Sequence, residues 1–198
     1  MKAEFYTLND AEKQSWLDQH VPHRICAALA GLPMPEKWAA PRPNLPNRNF
    51  SVWCADRSID EGRKAAMRWL IEFVGVRDKN GNPAAPRPHD NGKSVTIQQV
   101  GGRMFDTNSQ CAPKLAKIWK ACAQASLHPT TDTNHHPLRE DDLAATLEIV
   151  IAHLETSLYK PSGRNLCEIV HEQEALRSPE RSASEIRSTP CLLLVSGN

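Results

Sequence analysis

Apolar positions recur at helical spacing along most of this chain, and the pattern alone divides it into elements. Met67, Leu70, Ile71 and Val74 stand at i, i+3, i+4 and i+7, and Trp69 and Phe73 widen the same face. This spacing puts the row on one side of a helix, and Ser58 with Glu61 has capping-box spacing at its start. Leu115, Ile118, Trp119 and Cys122 mark a second helix, capped by Asn108 or Ser109, with Pro113 in its first turn and His128-Pro129 as its stop. Leu143, Leu147, Val150, Leu154 and Leu158 mark a third, whose acidic start Glu140-Asp141-Asp142 suits the positive end of the helix dipole. Leu166, Ile169, Val170 and Gln173 share one side of a last helix that ends before Pro179. At the other end of the chain, Asn9 with Glu12 is a capping box for a helix to His20, and Pro22 suits the opening turn of another that ends near Gly31.

Between these helices the pattern breaks. Residues 31–50 hold five prolines and cannot continue a helix. The polar run from Arg77 to Lys93 reads as a loop, and SVTIQQVGGRMF reads as two short strands about Gly101-Gly102. The expected fold is therefore mainly α, a helical bundle with one small β-hairpin and a Pro-rich connector. Its parts are an N-terminal helical segment (1–30), the connector (31–57), a helical core domain (58–177) with the hairpin near 94–106, and a mobile tail (178–198).

The chain has 198 residues, 40% of them hydrophobic and 24% charged, with a formal net charge of +1. Such a chain can bury a substantial single core, and its charge supplies no general attraction to nucleic acid or membrane. No apolar stretch approaches the roughly 20 residues of a membrane span, and MKAEFYTLND lacks the apolar centre of a secretory signal. A cytoplasmic protein without membrane contact is expected. Its six cysteines are scattered without a CxxC pair, which favours reduced thiols over disulfides or a cysteine zinc site. Neither a glycine-rich phosphate loop nor a GxSxG or HExxH motif occurs, so nucleotide hydrolases and standard serine hydrolases are disfavoured.

The sharpest chemical pattern lies on the last helix. Arg164 and His171 are seven positions apart, nearly two helical turns, with Glu168 between them and Leu166, Ile169 and Val170 on the opposite side. A guanidinium can hold a phosphate bidentately, and an imidazole can move a proton near neutral pH. With Asn165 after the arginine, the set resembles the motif of the HEPN (higher eukaryotes and prokaryotes nucleotide-binding) family. These are helical proteins whose ribonuclease members carry an arginine, often followed by a polar residue, and a nearby histidine. The resemblance covers this helix and the general helical character. It implies a homodimer with a composite, metal-independent endoribonuclease site without cofactor, in a toxin or defence setting. His171 would transfer a proton during attack by the ribose 2′-hydroxyl, Arg164 would hold the phosphate, and Asn165 would complete the motif.

Two further sets bear on partners. Arg63, Lys64 and Arg68 on one helix and Lys114, Lys117 and Lys120 on another form rows able to follow the phosphates of RNA or another nucleic acid. His20, His23 and Cys26 are spaced like ligands on successive turns, with His135 and His136 as further donors. Pro22 interrupts that helix, however, and a capping His20 with a core Cys26 explains the same letters, so no metal is expected. The five tryptophans read as core or connector anchors. Solvated faces with weak i, i+4 pairs account for both the basic rows and the Arg164–His171 edge. The alternative is therefore a non-enzymatic interaction or regulatory protein, such as an accessory subunit or a phage or mobile-element protein, that docks on nucleic acid or a protein partner.

Overall fold

A computed structural model describes residues 5–29, 50–88, 94–127 and 138–177. The first capping box forms as its spacing predicts. Asn9 Oδ1 accepts the Glu12 N–H at 2.9 Å, and Glu12 Oε2 accepts the Asn9 N–H at 2.8 Å. It opens α1 (Asp10–Ser15), which passes through a π-helical turn (Trp16–His20) into α2 (Val21–Leu29).

Pro22 gives this π turn a consequence. The Val21 N–H reaches back to the Trp16 carbonyl, and Pro22 has no N–H to give. The Leu17 carbonyl thereby loses both backbone donors that helical geometry could offer it. The Tyr159 hydroxyl replaces them, donating to Leu17 O at 2.9 Å from a fully buried ring. Burial raises the Tyr159 phenol far above its ordinary pKa, which keeps the donor proton in place. Tyr159 itself ends a second π turn (Glu155–Tyr159), which continues α5 (Glu140–Leu154).

The central helix α3 spans Phe50–Val74. It starts ahead of the Ser58 capping pattern, so residues 50–57 belong to α3 and not to the connector. The stretch FSVWCADR contains neither proline nor glycine to stop a helix. Residues 31–49 and the tail 178–198 lie outside the described residues. Met67, Leu70, Ile71 and Val74 are fully buried, as their spacing predicts. They face α4 (Ala112–Leu127), α5 and α2, and α2 also packs on α6 (Leu166–Arg177). Leu17, Val21, Ile25 and Leu29 join the same core as Leu147, Leu154 and Val170. The N-terminal helices are therefore part of the core, which is not confined to 58–177. No described helix is long and apolar enough to cross a membrane.

The small hairpin exists but lies at another place. Strands β1 (Arg77–Lys79) and β2 (Asn82–Ala84) pair antiparallel, Arg77 opposite Ala84 and Lys79 opposite Asn82. Asn80 (φ 56°) and Gly81 (φ 88°) form the two-residue turn, both left-handed as a tight hairpin requires. At 94–106, where the hairpin was expected, Ile97–Val100 is a 3-10 turn instead. Thr96 and Gln99 cap it, and Ile97 and Val100 are buried three residues apart. The apolar period there is that of a tight helix rather than the two-residue period of a strand.

His153 on α5 bridges to the segment after this turn. Its Nε2 lies 2.7 Å from the Arg103 carbonyl, which can only accept, so the ring proton sits on Nε2. Nδ1 lies 3.3 Å from the hydroxyl of buried Ser157, and the edge of Phe105 meets the ring. Burial lowers the His153 pKa, outweighing the Arg103 carbonyl, which raises it.

Two measurements test these anchors. Replacing Tyr159 by Phe leaves the Leu17 carbonyl buried without a donor and should cost about 1–3 kcal/mol in urea unfolding. For His153 the folded state prefers the neutral ring, so its stabilisation is full above the unfolded pKa of about 6.5 and is lost as pH falls through the lowered folded value. The urea midpoint should drop from pH 8 to pH 5, and His153→Gln should flatten part of that drop.

Candidate functional site

The start of α6 was expected to present Arg164 and His171 along one helical edge. Asn165 instead caps the helix, its Oδ1 accepting the backbone N–H of Cys167 at 3.1 Å and of Glu168 at 3.4 Å. Arg164 therefore precedes the helix, and its guanidinium turns to Asp18 in the first π turn, with Nη1 on Oδ1. The Arg164 side chain keeps 22% of its surface exposed. His171 is exposed on α6, with the exposed carboxylates Glu168 and Glu172 close to it in sequence. The three motif residues thus sit within two turns of chain, but the arginine and the asparagine hold α6 to the N-terminal segment and start it.

The basic rows separate in the same way. Arg63 is only 7% exposed and pairs with Asp60 at 3.4 Å and Glu140 at 3.3 Å, tying α3 to the start of α5. Lys64 pairs with Asp60, and the Arg68 guanidinium lies over the Trp119 ring, 5.0 Å from its centroid. On α4, Lys114 is half-buried, while Lys117 and Lys120 are exposed and Lys120 approaches Asp78 at 4.0 Å. The α3 row is thus engaged within the fold, and the outer lysines of α4 keep their surface.

The histidine and cysteine set does not converge either. The His20 ring tilts against Trp16, 5.4 Å between centroids, whereas the Cys26 thiol contacts the Val170 carbonyl at 3.6 Å across the α2–α6 interface. Among the described residues no three His, Cys, Asp or Glu side chains group as metal ligands. His135 and His136 lie outside the described residues. Cys122 is buried in the core, and burial pushes its thiol up to about 12.

The concave surface lies elsewhere, around Trp16. Trp16, Trp69 and Phe73 form a stack with centroids 5.1–5.5 Å apart and interplanar angles of 7–18°. Arg24 lies over Trp69 at 5.4 Å. Beside Trp16 opens a hollow of about 400 Å³ lined by Tyr6, Leu8, Glu12, Trp16, His20 and Val95. A second of about 220 Å³ shares Trp16 and Val95 and continues past Trp69 to Glu72 and Arg87. The rim is held by the Tyr6 N–H on the Ser94 carbonyl at 2.9 Å. The Tyr6 hydroxyl donates to Glu12 Oε1 at 3.1 Å, and that carboxylate raises the Tyr6 pKa. Tyr6 remains 41% exposed.

Trp16, expected as a core or connector anchor, packs against the core and also lines the hollow, whereas Tyr6 carried no expectation. A signal was present, because Trp16 lies one position outside the stripe of Leu17, Val21 and Ile25 and one helical turn before His20. In comparisons with protein-family models, curated proteins and solved structures, nothing matches this chain. The chemistry of the cleft therefore stands on its own residues: aromatic walls, an aliphatic floor and a carboxylate at the rim suit recognition of a ligand.

The Asn165 role is directly measurable. Asn165→Ala should cost about 1 kcal/mol in chemical denaturation, whereas Asn165→Asp should keep most of the stability, as expected of an N-cap. Equal losses in both variants would contradict the capping role.

Proposed function

We propose that this chain is a non-enzymatic interaction protein that recognises a protein partner through the cleft around Trp16. The observation that carries the reading is the open aromatic hollow of about 400 Å³ between the N-terminal segment and Val95. Its volume suits one or two side chains of a bound segment, and aromatic anchors of this kind dominate many protein interfaces. The residues grouped by sequence as catalytic or phosphate-binding support the same reading, because Arg164, Asn165, Arg63, Lys64 and Arg68 each have an internal contact.

A second reading keeps the HEPN-like resemblance, with RNA as substrate and two copies of α6 brought together in a homodimer. The observation in its favour is that His171 is exposed while Arg164 remains partly open to solvent just ahead of the same helix. Lys117 and Lys120 would then supply phosphate contacts beyond the cleavage site.

One pair of experiments separates the readings. Short peptides selected for binding should shift the backbone NMR signals of Tyr6, Leu8, Trp16, His20 and Val95, and a panel of RNAs should remain intact with or without His171→Ala. Peptides that perturb only α4 or α6 would overturn the cleft reading. RNA cleavage that disappears in His171→Ala would establish the second reading in its place.

A further inference from the structure

The described tryptophans differ in what covers their rings. Trp69 carries the Arg24 guanidinium and Trp119 carries that of Arg68. Trp16 touches Trp69, Phe73 and His20, and among the described residues no Lys or Arg side chain lies over it. Tyr6 and Glu12 line the larger hollow together with Trp16. Ring faces with a nearby carboxylate attract an organic cation. The Tyr6 hydroxyl strengthens this, because donating to Glu12 draws electron density toward its ring.

We infer that the hollow beside Trp16 binds a methylated lysine side chain of a protein partner, held against Trp16, Tyr6 and Glu12. This inference rests on the proposed role of the cleft as a recognition surface and names what it recognises. Methylation is the discriminating feature. A bare ammonium carries three donors that need acceptors, whereas the walls are mainly aromatic and aliphatic, with Glu12, Ser15 and His20 as the polar residues among them. The Glu12 carboxylate already accepts the Tyr6 hydroxyl on Oε1 and the Asn9 N–H on Oε2. N-methyl groups remove those donors, spread the positive charge and match the apolar walls, so Glu12 acts through charge alone. The aliphatic stem of the lysine would lie along Leu8 and Val95, which also line the hollow.

The test uses the full chain and short Gly/Ser-flanked peptides bearing trimethyl-lysine, lysine or the neutral isostere in which carbon replaces the nitrogen. Binding is followed by tryptophan fluorescence and by the Trp16 indole NMR signal. The trimethyl-lysine peptide should bind about five-fold or more tightly than either of the others. Tyr6→Leu should weaken it by a similar factor, and so should Glu12→Gln, which preserves the capping box while removing the charge. Thermal unfolding of both variants should stay near that of the parent, which separates a binding effect from misfolding. Equal binding of the neutral isostere at Trp16 would overturn the cation site while leaving the cleft as a recognition surface. Choline binding more tightly than the trimethyl-lysine peptide would overturn the protein partner as the source of the cation. A Trp16 signal unmoved by every probe would overturn the inference outright.

Discussion

The hydrogen bond from Tyr159 to the Leu17 carbonyl is the contact on which the arrangement of this protein turns. A proline within a helix normally leaves a carbonyl without its donor, and a buried carbonyl in that state is costly. Here the π register before Pro22 leaves the Leu17 carbonyl without a backbone donor, and a second π turn places a phenol against it. Two irregular turns far apart in sequence thereby become complementary. The Asp18–Arg164 pair and the Cys26 contact to Val170 lie along the same seam between the N-terminal helices and α6.

That seam also explains the fate of the Arg164 motif. An arginine just ahead of a capped helix can reach sideways, and Asp18 on the neighbouring π turn is within its reach. Asn165 serves the cap because its short amide can accept two N–H groups that begin α6. The same two letters thus serve helix initiation and interhelical contact here. The same N-terminal segment brings Tyr6, Glu12 and Trp16 to the hollow, so one stretch of chain both closes the core and walls the cleft.

Much of the fold was legible because helical burial writes a period into the sequence. The rows Met67–Leu70–Ile71–Val74 and Leu143–Leu147–Val150–Leu154 are buried as spaced. The hairpin lies elsewhere for a physical reason: its strands are three residues each and hold no large apolar side chain, so no alternation of apolar residues advertises them. Asn80-Gly81 was the available signal, outweighed by the more apolar run at 94–105, whose Ile97 and Val100 follow the period of a 3-10 turn. The cleft was less legible still. Tyr6, Trp16 and Val95 come from three separate stretches, and nothing in their local spacing states that they meet. The Arg63 contacts with Asp60 and Glu140 depend likewise on the packing of α3 beside α5.

The seam between the two ends of the chain also bears on how the protein comes into being. Tyr159 and Leu17 are 142 positions apart, Arg164 and Asp18 146, and Val170 and Cys26 144. On the ribosome α1 and α2 emerge ahead of the other described elements, but the groups that satisfy Leu17 and Asp18 are synthesised among the last of them. Until then the Leu17 carbonyl lacks the phenol that satisfies it, and α2 lacks the α6 surface on which it packs. Such long-range closure slows folding, so the N-terminal helices acquire their final packing only when nearly the whole described chain has been made.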